Sequence, residues 1–353
     1  MPTLPSAGVA AALVLLGGGT ALALAIASNG SEGGTHAARQ SAAHSPTSTR
    51  PRASTAHTPT PTSASATPVL AADQPTHVGS LPAGVAVGLG GVYVANGGDG
   101  MLRRVDAIKS RLDSMKAAIG GGPDAVAAGS GGVWVTSRRS NTLTRVDPRT
   151  MTTVAQIPVG RAPSAVAIGN HDYAVWVANE KDGTVMRVDA NTNAVDRSSP
   201  IRVGRAPHAL ATAPHAVFVA NRSDGTLQRV DTRSHRVIAT LRTGKGPTAM
   251  VISGTFLWVA NAGDGTVARI DMQRNKIVGR THVGGQPSAL ASTTSNVYVA
   301  DRRRGLIRRL DPATGRIEGK PVRVRDPVAM RAGAGAIWIA NRDTGNITRI
   351  PLV

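Results

Sequence analysis

Val175 to Asp189 reads VWVANEKDGTVMRVD, and near-copies of this stretch recur through almost all of the chain beyond residue 90. They begin at Val92 (VYVANGGDGMLRRVD), Val133 (VWVTSRRSNTLTRVD), Val217 (VFVANRSDGTLQRVD), Leu257 (LWVANAGDGTVARID), Val297 (VYVADRRRGLIRRLD) and Ile337 (IWIANRDTGNITRIP). Measured at the aromatic residue (Tyr93, Trp134, Trp176, Phe218, Trp258, Tyr298, Trp338), the steps are 41, 42, 42, 40, 40 and 40 residues. A fixed period near 40 made of short β-branched runs is the signature of a β-propeller with one four-stranded blade per repeat. The expected fold is therefore all-β, a seven-bladed propeller.

Each repeat divides into four strands. Strand A opens at a proline (Pro82, Pro123, Pro163, Pro207, Pro247, Pro287, Pro327), strand B is the VWVA run, and the Asn-x-x-Asp-Gly segment supplies the turn into strand C. Strand D is the weaker run before the next proline, as in TTVAQIPVG (Thr152 to Gly160). The last repeat ends at Pro351-Leu352-Val353 without a strand D, while QPTHVG (Gln74 to Gly79) stands at the front with no blade of its own. This N-terminal strand is expected to close blade seven and remove the exposed sheet edges.

The repeat resembles that of the YVTN-type β-propellers. The matching pieces are YVAN at Tyr93 to Asn96, WVAN at Trp176 to Asn179, DGT at Asp182 to Thr184, RVD at Arg187 to Asp189 and VGRAP at Val159 to Pro163, and the likeness runs through residues 74–353. It implies an exported bacterial propeller used for binding, as in surface-layer proteins, a periplasmic single-stranded-DNA binder and the outer domains of sensor kinases. The repeated residues are those that build blades, so the resemblance speaks to fold far more than to function.

Ahead of the propeller lie two segments of other character. Ala7 to Ala27 is apolar and uncharged, within a segment 1–27 read either as a signal anchor spanning the membrane or as a signal peptide cleaved after Ala27. Residues 28–73 are rich in Ser, Thr, Pro and Ala and cannot bury a core, so they read as a disordered linker with a reach of roughly 35 to 40 Å. The expected location is the cell membrane, single-pass with the propeller outside the cytoplasm, or a secreted protein if the segment is cleaved. There is no cysteine, which excludes disulfides and thiolate chemistry.

Lys and Arg total 40 against 21 acids; setting aside Glu32, Arg39, Arg50, Arg52 and Asp73 leaves 37 against 19, so the propeller carries about +18. Such a field attracts polyanions. Loops D-to-A and B-to-C share one face of a propeller, and ten basic residues expected there are the candidate partner-binding set: Arg138, Arg139, Arg161, Arg205, Arg222, Lys245, Arg302, Arg303, Arg304 and Arg342. Two clusters stand out because the Asp-Gly turn is lost in them, SRRSN in blade two and DRRRG in blade six. The arginine repeated in every strand C (Arg104, Arg145, Arg187, Arg229, Arg269, Arg309, Arg349) is expected to cover the blade edge or to bond a neighbouring turn through one of its aspartates.

The residue after each strand-A proline should approach the mouth of the central channel, giving Asp124, Ser164, His208, Thr248 and Ser288 as polar mouth residues beside Ala83 and Val328. No carboxylate or histidine cluster with metal-ligand spacing is legible. The expectation is a monomeric binding or sensing module that does no chemistry, with no catalytic residue, metal or cofactor, whose partner is an anionic protein, a cell-wall polymer or the membrane surface. Two alternatives stand beside it: a non-specific nucleic-acid binder and a metal-assisted lyase or lactonase. Seven of the nine aromatics occupy the repeated strand-B position, which leaves bases little to stack on.

Overall fold

The reason strand B reads as a continuous apolar run lies in its surroundings. In the computed structural model, which describes residues 71–169 and 173–352, strand B of blade three (Ala174–Asn179) is buried at every position, and so are its equivalents Gly91–Asn96, Gly132–Ser137, Ala216–Asn221 and Ala336–Asn341. One face of each strand packs on the preceding blade and the other on the following blade, so neither face can be polar. Strand D is the opposite case. In blade four (Arg236–Arg242) it alternates between exposed and half-buried residues, as an edge strand with one wet face should.

The blades are seven antiparallel sheets in simple A-B-C-D order, for example Pro207–Ala213, Ala216–Asn221, Thr226–Asp231 and Arg236–Arg242 in blade four. In blade three strand D is split into two short pieces, Ala194–Val195 and Ile201–Arg202, both paired with strand C. Blade seven takes strands A to C from Pro327–Gly333, Ala336–Asn341 and Asn346–Pro351, and its fourth strand from the front of the domain. Thr76 pairs with Ile347 and His77 with Asn346. The Val78 amide then donates to the Gly345 carbonyl at 2.9 Å, and the Val78 side chain is 1% exposed. The ring is closed as the repeat count demanded. Segments 1–27 and 28–73 lie outside the described residues apart from the last three positions of the second.

Seven hydrophobic clusters, one per pair of neighbouring blades, hold the ring together. Each has the strand-B aromatic of one blade set against strands A to C of the next: Tyr93 against Val126, Val133 and Val135; Trp134 against Val175, Val177 and Val188; Trp176 against Val217, Val219 and Val230. The seventh, Trp338 against Val85, Val92 and Val94 with Val78 beside them, seals blade seven to blade one. Cross-strand register puts every one of these aromatics opposite the repeated arginine, as Trp134 opposite Arg145 and Trp338 opposite Arg349. The guanidinium lies over the ring at 5.2 Å for Arg145 and Trp134 and at 5.8 Å for Arg229 and Phe218.

The same arginines correct one expectation. Arg145 and Arg229 reach a neighbouring turn through its carbonyl and asparagine oxygens and not through its aspartate: Arg145 donates to the Ala190 carbonyl at 2.7 Å and to Asn193 Oδ1 at 2.9 Å, and Arg229 to the Met272 carbonyl at 3.0 Å and Asn275 Oδ1 at 3.1 Å. Arg187, Arg309 and Arg349 pair instead with Asp196, Glu318 and Asp73, none of them the repeated strand-C aspartate. The aspartates are occupied locally. Asp147, Asp189 and Asp231 each accept backbone N–H groups two and three residues on, which forms the turn and lowers their pKa.

Candidate functional site at the channel mouth

Every strand A begins with a proline and then slips register by a bulge, as between Pro163 and Ala165 or between Pro207 and Ala209. A bulge re-aims the side chain at its centre. The residue so displaced turns to the axis in all seven blades, and Ala83, Asp124, Ser164, His208, Thr248, Ser288 and Val328 line one cavity of about 220 Å³. All five polar mouth residues expected from the sequence stand in it.

Three of the five are engaged in holding the ring. Ser164 Oγ donates to the Pro207 carbonyl at 2.7 Å, Thr248 Oγ1 to the Pro287 carbonyl at 2.9 Å and Ser288 Oγ to the Pro327 carbonyl at 2.7 Å, each bond passing from one blade to the next. The two titratable residues are joined instead by a chain of charges. Arg138, on the B-to-C loop of blade two, reaches Asp124 Oδ2 at 3.3 Å and Glu180 Oε2 at 2.6 Å, and Glu180 Oε2 lies 3.6 Å from His208 Nδ1. Asp124 and His208 sit two blades apart in the ring, and Glu180, from the blade between them, spans the gap. At 3.6 Å the last contact is an ion-pair distance and longer than a hydrogen bond.

The two carboxyls of this chain are driven in opposite directions. The His208 ring and the Arg138 guanidinium hold Glu180 down at about 2 in spite of its burial. Burial at the mouth pushes Asp124 up, although Arg138 and His208 pull the other way. One acid is thus kept ionised and its neighbour is biased toward accepting a proton, an arrangement that suits a site where protons are held or moved. Glu180 entered the sequence reading only as part of a repeated loop. Its signal was there: the equivalent positions are Gly97, Arg138, Arg222, Ala262, Arg302 and Arg342, and Glu180 is the one acid among them.

The ten basic candidates on this face divide into two groups. Arg138 is held as described, Arg161 pairs with Asp182 at 2.5 Å, Arg205 with Asp224 at 2.7 Å, Arg302 with Asp326 at 2.5 Å and Arg304 with Asp301 at 3.8 Å. Among the described residues, no carboxylate lies within ion-pair distance of Arg139, Arg222, Lys245, Arg303 or Arg342, and all but the half-buried Arg342 are exposed. Much of the remaining positive charge lies around the rim, on strand-D residues such as Arg111, Lys116, Arg236, Arg242, Lys276 and Lys320. Charges there discourage edge-to-edge pairing with other sheets. In blade two Asn141 takes the left-handed position that Gly183 or Gly225 fills elsewhere, at φ +59°, so SRRSN keeps the turn after losing Asp-Gly.

Among the described residues no group of three or more His, Asp or Glu is placed to hold a metal ion, and no helix is long and apolar enough to cross a membrane. No family model matches the chain, and no curated protein matches it. Solved structures do. Hydrazine synthase from Kuenenia stuttgartiensis is similar with a TM-score of 0.70 at 16% identity, over 78% of this chain and 96% of that one. A streptogramin B lyase is similar with a TM-score of 0.69 at 14% identity, over 79% and 97%. Virginiamycin B lyase from Staphylococcus aureus follows with 0.67 at 14%, over 79% and 99%. At such identities the likeness shows the fold alone. It nevertheless overturns the expectation that the chain does no chemistry, because the propeller it adopts is one that a synthase and two lyases also use, so the architecture gives no ground for excluding catalysis.

Proposed function

We propose that this chain is an exported, membrane-tethered propeller of the YVTN type that binds an anionic macromolecular partner on the face bearing the channel mouth. The observation that carries the reading is the set of basic side chains left without a carboxylate on that face, Arg139, Arg222, Lys245, Arg303 and Arg342, beside Arg161, Arg205 and Arg302, which are paired. Unpaired surface cations cost little in water and gain when a polyanion displaces their counterions. The apolar segment 7–27 and the linker 28–73 support export and tethering.

A cell-wall polymer or an acidic protein suits this face better than nucleic acid. The strand-B aromatics are buried between blades, and Tyr173, 61% exposed, stands alone as an exposed aromatic among the described residues. A stacking platform for bases needs several. The test is fluorescence anisotropy of the full-length protein with labelled polyphosphate, an acidic polypeptide and single-stranded DNA at low and high salt. Binding of the first two, weakened by Arg222→Ala, Lys245→Ala and Arg303→Ala together with a shallower salt slope, is expected. Binding that the triple variant leaves unchanged refutes the assignment of the face.

A second reading is favoured by the opposed carboxyls at the mouth. Asp124, pushed up by burial, shares its cavity with His208, and a general acid or base in a concave polar site belongs to bond-breaking chemistry of the lyase kind. A substrate turnover lost in both Asp124→Asn and His208→Ala, with polyanion binding intact, would establish it.

A further inference from the structure

Four residues after the strand-A proline, the repeats carry Ala86, Ala127, Ala167, Ala211, Val251 and Ala291, and then Arg331. Six small or β-branched side chains and one arginine occupy equivalent places around the axis. The small ones leave the channel open below the mouth, as a cavity of about 490 Å³ walled by Val126, Val166, Leu210, Met250 and Ile252 among others. Arg331 lines this cavity and the mouth cavity alike, so it stands where the two halves of the channel meet. The other polar side chains of the lower wall are already engaged: Thr212 Oγ1 donates to the Ile168 carbonyl at 2.6 Å and Ser292 Oγ to the Ile252 carbonyl at 2.9 Å.

Arg331 is the one arginine of the seven strands A, and it has no partner. Among the described residues no carboxylate or hydrogen-bond acceptor is assigned to it, and burial by the channel wall is the single influence on its pKa, which it lowers. Its side chain is exposed to the channel interior, so the charge stands inside the ring of blades and is open to solvent along the axis. A guanidinium among aliphatic neighbours with no carboxylate of its own is free to pair with an anion that enters the channel. Its planar donor fork matches a carboxylate two bonds at a time. The half-buried apolar residues of the lower wall, Ala167, Leu210, Ala211, Val251 and Ile252, offer aliphatic surface for whatever the carboxylate is attached to.

We propose that the axial channel binds a small organic carboxylate, with the anionic end on the Arg331 guanidinium and the apolar body against Ala167, Leu210, Ala211, Val251 and Ile252. The site is separate from the loop face and does not depend on what that face binds. It is tested by isothermal titration calorimetry of the full-length protein with hexanoate, and with hexanamide, which has the same chain and no charge. Hexanoate binding with one site per chain is expected, hexanamide at least about tenfold weaker, since a charge-assisted bidentate pair is lost. Arg331→Leu abolishes hexanoate binding without lowering the melting temperature of the ligand-free protein, and Arg331→Lys retains a weakened site. Ala211→Met, which fills the channel and leaves Arg331 in place, also blocks it. Absence of hexanoate binding, equal binding of hexanamide, or undiminished binding by Arg331→Leu or by Ala211→Met overturns the proposal.

Discussion

Replacing Glu180 by glutamine removes one negative charge from the middle of the Asp124–Arg138–Glu180–His208 chain while keeping the shape of the side chain. Its carboxyl is held at about 2 against an ordinary 4.5. At about 1.4 kcal/mol per pKa unit this difference corresponds to about 3 kcal/mol of folded-state stabilisation at neutral pH. Arg138 is more than a third exposed and water at the mouth screens the charges, so the expected loss in Glu180→Gln is about 2 kcal/mol. The sign follows from the direction of the shift. A carboxyl held low contributes its full stability above the unfolded value of 4.5, and that contribution fades as the pH falls toward about 2. Urea unfolding followed by tryptophan fluorescence, from pH 7 down to about 2, measures this directly. Wild type and variant should be separated at neutral pH and should converge as the pH approaches about 2. A gap of the same size at every pH would mean that the substitution damages packing and that the charge chain contributes nothing.

The remaining expectations concern the ring. Val78→Ala, at the closing strand, should cost about 2 kcal/mol in urea unfolding, and removal of residues 74–80 should lower the melting temperature sharply or give aggregates; an unchanged melt would sink the closure model. Trp338→Ala should cost about 3 to 5 kcal/mol, because it empties the contact between blades seven and one, whereas Tyr173→Ala at the surface should stay within about 0.5 kcal/mol. Gly225→Ala should destabilise by about 1 kcal/mol or more, since φ there is +67° and the new methyl would stand 2.6 Å from the Gly244 carbonyl oxygen; Asn141→Gly, at the same turn position in blade two, should change stability by a few tenths of a kcal/mol. Both are read from urea midpoints.

Fold was legible because it is written seven times. One VWVA run is ambiguous between strand and buried helix, but seven at near-equal spacing, each followed by turn chemistry, admit one architecture, and the orphan QPTHVG at the front accounts for the strand missing from the end. The mouth was legible for the same reason: each proline marks a bulge, and the residue after it must face the axis. What the repeats concealed was partnership. Arg161, Arg205 and Arg302 read as free basic residues, because their aspartates lie 19 to 24 positions away in sequence and adjoin them only once the loops fold together. Glu180 and Arg331 carry their information as departures from a pattern. Glu180 is the one acid at a position that is arginine in four other repeats, and Arg331 the one charged residue at a position otherwise small or β-branched; comparing repeats position by position is what exposes them.

The closing strand also sets how the ring answers to force. Six blades have all four strands from one continuous piece of chain, while the seventh is joined through two paired residues, the Val78 amide and the Asp73 amide on the Arg349 carbonyl. The linker enters the domain at this latch. A load drawn along the chain from the front is therefore not shared by the propeller; it falls first on Asp73, then on Thr76 and His77, and last on Val78, peeling this two-residue strand before any other blade bears tension. Once that strand leaves, the outer edge of strand C in blade seven and the Trp338 contact face solvent. A propeller closed in this way opens under mechanical strain first at one place, where the chain enters the ring at Asp73.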